Sequence, residues 1–141
     1  MGAKSHKELA AWQLADKLRH EVYALIRSGP AKTDLRFRSQ AEDAASSTCR
    51  NLSEGFARFN PGEFAHYARY AEASNAEPGD LLEDGVAREY WTMERVSRAQ
   101  RLQERTKKAV GRLQRYLRSA QARRNAAEIL NRDGNGRRRR A

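Results

Sequence analysis

The side chains best spaced to do chemistry in this chain are cations. Arg98, Arg101, Arg105, Lys108, Arg112 and Arg115 recur every three or four residues, which on a helix is one straight line. Lys107 and Arg118 flank that line, and Arg137, Arg138, Arg139 and Arg140 close the basic segment. Guanidinium and ammonium groups in such a row neutralise successive phosphates, so the chemistry implied is contact with a polyanion backbone. Zinc-finger spacing, an RNP-like aromatic motif and a helix-turn-helix pattern are all missing, which argues against base reading. The competing account is a solvated face neutralised by its neighbours. Glu77, Asp80 and Asp84 share one face if helical, and an antiparallel partner would bring them beside Arg98, Arg101 and Arg105. Such surface pairs contribute about 0 to 1 kcal/mol each. From Lys107 to Arg118 and through the tail, the sequence offers no matching acids.

A second constellation lies earlier in the chain. Gln40, Ala44, Ser47, Asn51, Glu54 and Arg58 alternate steps of four and three, a small and polar seam on one helix face. One position further on runs an apolar line of Ala41, Ala45, Thr48, Leu52, Phe56 and Phe59. A polar row beside a core row either surrounds a ligand or RNA, or forms an interhelical or intersubunit contact. In the contact reading, which is preferred, small residues allow close approach and a buried polar group fixes register. Glu54 and Arg58, four apart, can also pair on their own helix.

Catalytic constellations are weaker. Helical bundles hold two metals with paired Glu-x-x-His motifs and two further glutamates. One such motif exists, Glu63-Phe64-Ala65-His66, without a second copy, and Glu63 is already explained as a capping residue. His6 and His20 lack carboxylates at ligand spacing. Cys49 has no activating histidine nearby in sequence and suits a small core or interface position. Phosphate loops, nucleophile elbows and dinucleotide fingerprints are absent. The expectation is a protein that is not an enzyme and needs no metal or cofactor.

These side chains must be positioned by helices. With 39% hydrophobic and 33% charged residues and only three prolines, the 141-residue chain suits one domain of amphipathic helices. No stretch approaches the roughly 20 apolar residues of a membrane span. Residues 1–8 lack the apolar run of a signal peptide, and the single Cys49 excludes an internal disulfide. A cytoplasmic protein without a membrane partner is expected. From Arg95 onward sixteen Lys or Arg face three acids, a net of +13, whereas residues 1–94 carry −3. The excess positive charge therefore belongs to the last third, a pattern that attracts RNA, DNA, anionic lipid or an acidic partner.

The first helix is expected from about residue 6 to residue 27, opened by a Ser5/Glu8 capping box and ended by Ser28-Gly29-Pro30. Its core stripe is Ala11, Ala15, Leu18, Val22 and Leu25. The second helix starts near Thr33 or Asp34 and breaks at Phe59-Asn60, with Gly55 marking a close approach or the nearing end. Asn60-Pro61-Gly62-Glu63 restarts a third helix presenting Phe64, Tyr67, Ala68 and Ala71. Pro78-Gly79 predicts a kink between residues 73 and 77, or a break before Leu81. Thr92 caps the fourth helix, whose stripe is Val96, Ala99, Leu102, Thr106, Ala109, Leu113 and Tyr116. Residues 119–132 can extend it, until Asp133-Gly134-Asn135-Gly136 stops it and leaves a mobile basic tail. The fold expected is all-α: an antiparallel up-down four-helix bundle over residues 1–118, with a basic helical or flexible C-terminal extension over 119–141.

Ser47 followed by Asn51, Leu52, Ser53, Glu54, Gly55, Phe56, Ala57 and Arg58 resembles the Ser…Asn-Ile-Ala-Glu-Gly-Phe-x-Arg signature of the bacterial four-helix bundle protein family. That family is also described as the 23S ribosomal RNA intervening-sequence proteins, distant relatives of the accessory variability determinant of diversity-generating retroelements. Leu9, Trp12, Ala15, Leu18 and Tyr23 upstream, Gln40 between, and Glu63, Phe64, Ala71 and Ser74 downstream extend the likeness over roughly residues 5–118. It departs at Asp43, Thr48, Cys49 and Ala73, where the family has arginine, isoleucine, proline and glycine. The resemblance marks Gln40, Ser47, Asn51, Glu54, Gly55 and Arg58 as motif or interface positions. It implies a helical bundle assembling as a homopentamer, with suspected nucleic-acid binding and no known reaction. Two functions therefore stand: a nucleic-acid-binding accessory protein using Lys107, Lys108, Arg112, Arg115, Arg118 and the tail, or an oligomeric scaffold gripping another protein.

Overall fold

The computed structural model describes residues 3–58 and 60–140, with the side chains of Arg137, Arg139 and Arg140 outside that description. Phe59, expected in the apolar line of the second helix, also lies outside the described residues. Among the described residues five α-helices follow one another: α1 (Ala10–Ile26), α2 (Leu35–Phe56), α3 (Pro61–Ser74), α4 (Ala76–Ala87) and α5 (Met93–Arg140). α3 and α4 run in series as the third rod of a four-helix bundle. α1 packs on α2 and α5, and α3 packs on the same two helices, so α1 and α3 occupy opposite corners. Among the described residues there is no strand.

The helix starts follow local chemistry. Asp34 accepts the Phe37 N–H at 3.1 Å, the Asn60 side chain accepts from Gly62 at 2.8 Å, and Thr92 Oγ1 accepts from Arg95 at 3.1 Å. Each satisfies a backbone donor that an α-helix leaves open at its start. The first start differs from expectation. Ser5 caps a separate 3-10 turn, His6–Glu8, and α1 begins only after Leu9. Glu8 Oε2 reaches the Lys4 N–H at 2.8 Å, one residue short of closing a capping box on Ser5.

Pro78 resolves as the break. α3 ends at Ser74, Asn75 intervenes, and Pro78 stands third in α4, where a missing N–H leaves no ladder bond unmade. The junction is pinned on α5 from both sides. Asn75 Nδ2 donates to the Gln103 carbonyl at 3.1 Å, and Gln103 Nε2 donates to the Asn75 carbonyl at 3.1 Å. Further along, a Cβ added at Gly85 would lie 2.2 Å from the Trp91 ring, so glycine makes room for the indole. Trp91 Nε1 in turn donates to the Leu25 carbonyl at 3.1 Å, tying the α4–α5 turn to the end of α1.

Two expectations about α5 are corrected. The stripe drifts, so that Val110, Gln114 and Leu117 are buried while Tyr116 is 41% exposed. A strict three-four alternation averages 3.5 residues per turn, and a straight helix of 3.6 walks away from it. The second correction is the end of the helix, which continues through Asp133-Gly134-Asn135-Gly136 to Arg140. Glycine in a helix costs about 1 kcal/mol relative to alanine but keeps its N–H, so unlike proline it does not break the ladder.

Candidate nucleic-acid interface

α5 carries its cations away from the core. Lys107, Lys108, Arg112, Arg115 and Arg118 are all exposed, and among the described residues no carboxylate lies within ion-pair distance of any of them. At 1.5 Å per residue, the helix from Lys107 to Arg140 is about 50 Å long. Arg118 is oriented from the bundle: its Nη2 donates to Gln114 Oε1 at 3.1 Å, while the buried Gln114 amide donates to Glu72 and to the Ala68 carbonyl. The Gln121 side chain accepts from the Gly62 N–H at 3.0 Å, and residues 122–136 are exposed throughout. Within that distal arm Arg124 pairs with Glu128 at 3.6 Å, and Arg138 is exposed. Arg137, Arg139 and Arg140 sit on the same helix, their side chains outside the described residues.

The expected neutralisation by Glu77, Asp80 and Asp84 is not what forms. Arg98 pairs with Glu21 of α1 at 3.1 Å, and Asp84 pairs with Arg88, the residue that follows α4, at 2.9 Å. Among the described residues Arg101, Arg105, Glu77 and Asp80 make no ion pair. The rotation of α5 turns this face toward α1 and solvent.

The polar seam of α2 divides into unlike parts. Ala44 is buried, Ser47 and Asn51 are half-buried, and Gln40, Glu54 and Arg58 are exposed, while the motif residue Gly55 beside the seam is buried. Asn51 Nδ2 donates to the Ser47 carbonyl at 3.1 Å, a bond within its own helix. Gln40 lines a recess with Asp34, Arg36, Phe37 and Arg88. There the Tyr90 hydroxyl, and after it the Phe37 N–H, hold the Asp34 carboxyl below its ordinary pKa. Arg58, two residues past the end of α2 and so beyond the about 24 Å of helix from Gln40 to Phe56, belongs to a different recess with Gly62, Glu63, His66 and Tyr67.

At that far end Glu54 and Arg58 make the expected ion pair, at 2.6 Å. Arg58 also donates to the Tyr67 hydroxyl at 2.9 Å and lies 5.2 Å from the centre of its ring. Tyr67 first, and then Glu54, raise the Arg58 pKa above its ordinary value. Gly55 permits this arrangement. A Cβ there would meet Phe64 at 2.6 Å and Tyr67 at 2.8 Å, so the glycine marks both the approach of α3 and the last turn of α2.

Sequence spacing alone left out the aromatic neighbours of Arg58. His66, Tyr67 and Tyr70 are mutually edge-on, with centroids 4.6 to 6.4 Å apart, and His66 and Tyr70 are exposed. The signal available was their spacing of three and four on one side of α3. Cys49 is buried, and burial pushes its thiol up to about 11, which keeps it protonated and a poor nucleophile at neutral pH. Among the described residues no three His, Cys, Asp or Glu come together as a metal site, and no helix is long and apolar enough to cross a membrane.

Comparison with known proteins adds one positive finding. A family model described as 23S rRNA-intervening sequence protein matches residues 7–112, which includes α1 to α4, the α2 seam and α5 up to Arg112. No curated protein matches the chain.

Proposed function

The chain belongs to the 23S rRNA-intervening sequence protein family, and within it we propose a non-enzymatic, nucleic-acid-binding accessory protein that grips phosphates without reading sequence. The observation that carries this reading is the cation row of α5, from Lys107 to Arg118, which meets no carboxylate among the described residues and continues into an arm with seven further arginines (Arg123, Arg124, Arg132 and Arg137 to Arg140). A helix face of this kind meets phosphates along its length, and each neutralised phosphate releases counterions. The protein acts as a homo-oligomer, five copies being the number that the resemblance implies. What supports assembly is apolar surface that one copy leaves open, including Leu35 at 73% and Met93 at 58% exposure. Repetition of the arm around an assembly multiplies phosphate contacts through effective concentration.

Gel shifts of the full chain on structured RNA and duplex DNA across a salt series test the proposal. Binding at low salt with a steep linear fall of log affinity against log salt is expected, about 0.9 per phosphate neutralised on duplex DNA. No shift at low salt overturns it and leaves the protein-scaffold reading. In that event, a pull-down resistant to high salt and lost in Asn51→Ala or Glu54→Ala would identify α2 as the gripping face.

A further inference from the structure

The geometry points to a nucleobase-stacking platform at the α2–α3 corner, made by Arg58, His66, Tyr67 and Tyr70, that selects single-stranded over duplex nucleic acid. This rests on the polyanion reading of α5 and names the form of nucleic acid that the bundle favours.

Three observations converge there. The first is π surface at the edge of the protein. Tyr70 is 47% exposed and stands 4.6 Å, centroid to centroid, from the exposed His66 ring. The exposed Arg58 guanidinium lies 5.2 Å from the centre of the Tyr67 ring and adds a planar cation to this π surface. Aromatic and guanidinium planes accept any base, because every base has a π-face.

The second is continuity with the cation row. Arg58 lines both the recess with His66 and Tyr67 and a neighbouring one with Pro61, Phe64, Tyr116 and Ala120. Tyr116 lies on α5 between Arg115 and Arg118, so the aromatic corner and the cation row share one end of the bundle.

The third is the local charge. Glu54 balances Arg58, and Glu63 lines the recess beside His66, with Arg69 against the His66 ring at 3.3 Å. Two carboxylates set against two guanidiniums leave this corner without the net positive charge that draws phosphate, and the rings are left for neutral bases. The backbone is then directed to the α5 row from Lys107 to Arg118, whose cations meet no carboxylate among the described residues. In a duplex the bases face each other and cannot reach the rings while the phosphates follow α5. Unpaired nucleotides can do both.

Fluorescence anisotropy of the full-length chain tests this with short oligouridylate, oligothymidylate and a duplex of equal length at one salt concentration. Tyr70→Leu is expected to weaken both single strands by about fivefold or more and to leave duplex affinity unchanged. Tyr70→Phe, which keeps the ring, is expected to retain wild-type binding. Equal losses on single strand and duplex, or no loss even in His66→Leu/Tyr70→Leu, overturn the platform while the cation row stands. A change in assembly mass in Tyr70→Leu with unchanged nucleic-acid affinity assigns the corner to contact between copies and also overturns it. If no probe binds at low salt, the polyanion reading itself falls, and the platform with it.

Discussion

The two halves of α5 are held helical by different means. Up to Gln121 every turn places a side chain into the bundle: Val96, Ala99, Leu102, Thr106, Ala109, Val110, Gln114 and Leu117 are all buried. Past that point residues 122–136 are exposed, and a Cβ built at Gly134 or Gly136 would meet nothing within 4 Å. Burial of an apolar face stabilises the first half. The second half relies on the helix preference of Ala, Arg and Leu and on pairs such as Arg124–Glu128. The comparison teaches where charge can be concentrated: beyond the core, each turn can carry arginine on any side without leaving a buried ion unpaired.

The comparison can be broken most directly by equal substitutions in the two halves. Leu117→Ala should lower the unfolding free energy by about 2–5 kcal/mol in urea titrations, while Leu130→Ala should stay within about 0.5 kcal/mol. Comparable losses would mean that the arm is packed in solution. Removing residues 122–141 should leave the thermal midpoint nearly unchanged. The same truncation should flatten the salt dependence of nucleic-acid binding, by up to about 6 in log–log slope for seven arginines at 0.9 each. A slope that does not move would confine binding to the first half.

Smaller effects sharpen the contrast. Gly134→Ala should stabilise the arm locally by about 1 kcal/mol, seen as slower amide exchange in residues 126–140 and no change in α1 to α4. Acid should act on the bundle at the Asp34 helix cap. Because the Asp34 pKa is lowered from 3.8 in the folded state, its stabilisation is complete above that value and disappears as pH falls through the folded one. Asp34→Asn keeps a capping oxygen without the charge. The stability gap between it and wild type should therefore be largest near neutrality and close in strong acid, as followed by denaturation at a series of pH values.

Much of this architecture was legible because capping is local chemistry. Asp34, Asn60 and Thr92 announce helix starts with their own side chains, and the buried stripe of α1 matched its spacing residue by residue. The resemblance carried by Ser47, Asn51, Glu54, Gly55 and Arg58 likewise agrees with the family match. Other features depend on what lies opposite. Glu21, rather than Glu77, Asp80 or Asp84, meets Arg98 because the rotation of α5 about its axis decides its neighbour. Tyr67 was expected only as part of a core stripe, yet the absence of a side chain at Gly55 draws it toward Arg58 and leaves Tyr70 at the surface. The run Asp133-Gly134-Asn135-Gly136 misled in another way: its residues weaken a helix without forbidding it.

The seating of Trp91 has an optical consequence. Its indole is nearly enclosed and hydrogen-bonded to Leu25 near one end of the bundle, whereas Trp12, the other tryptophan, lies edge-on to the His6 ring at 5.2 Å near the opposite end. Emission from the two fluorophores therefore monitors opposite poles of the molecule. Replacing either one with phenylalanine would leave a single-wavelength gauge of which pole loosens first on heating.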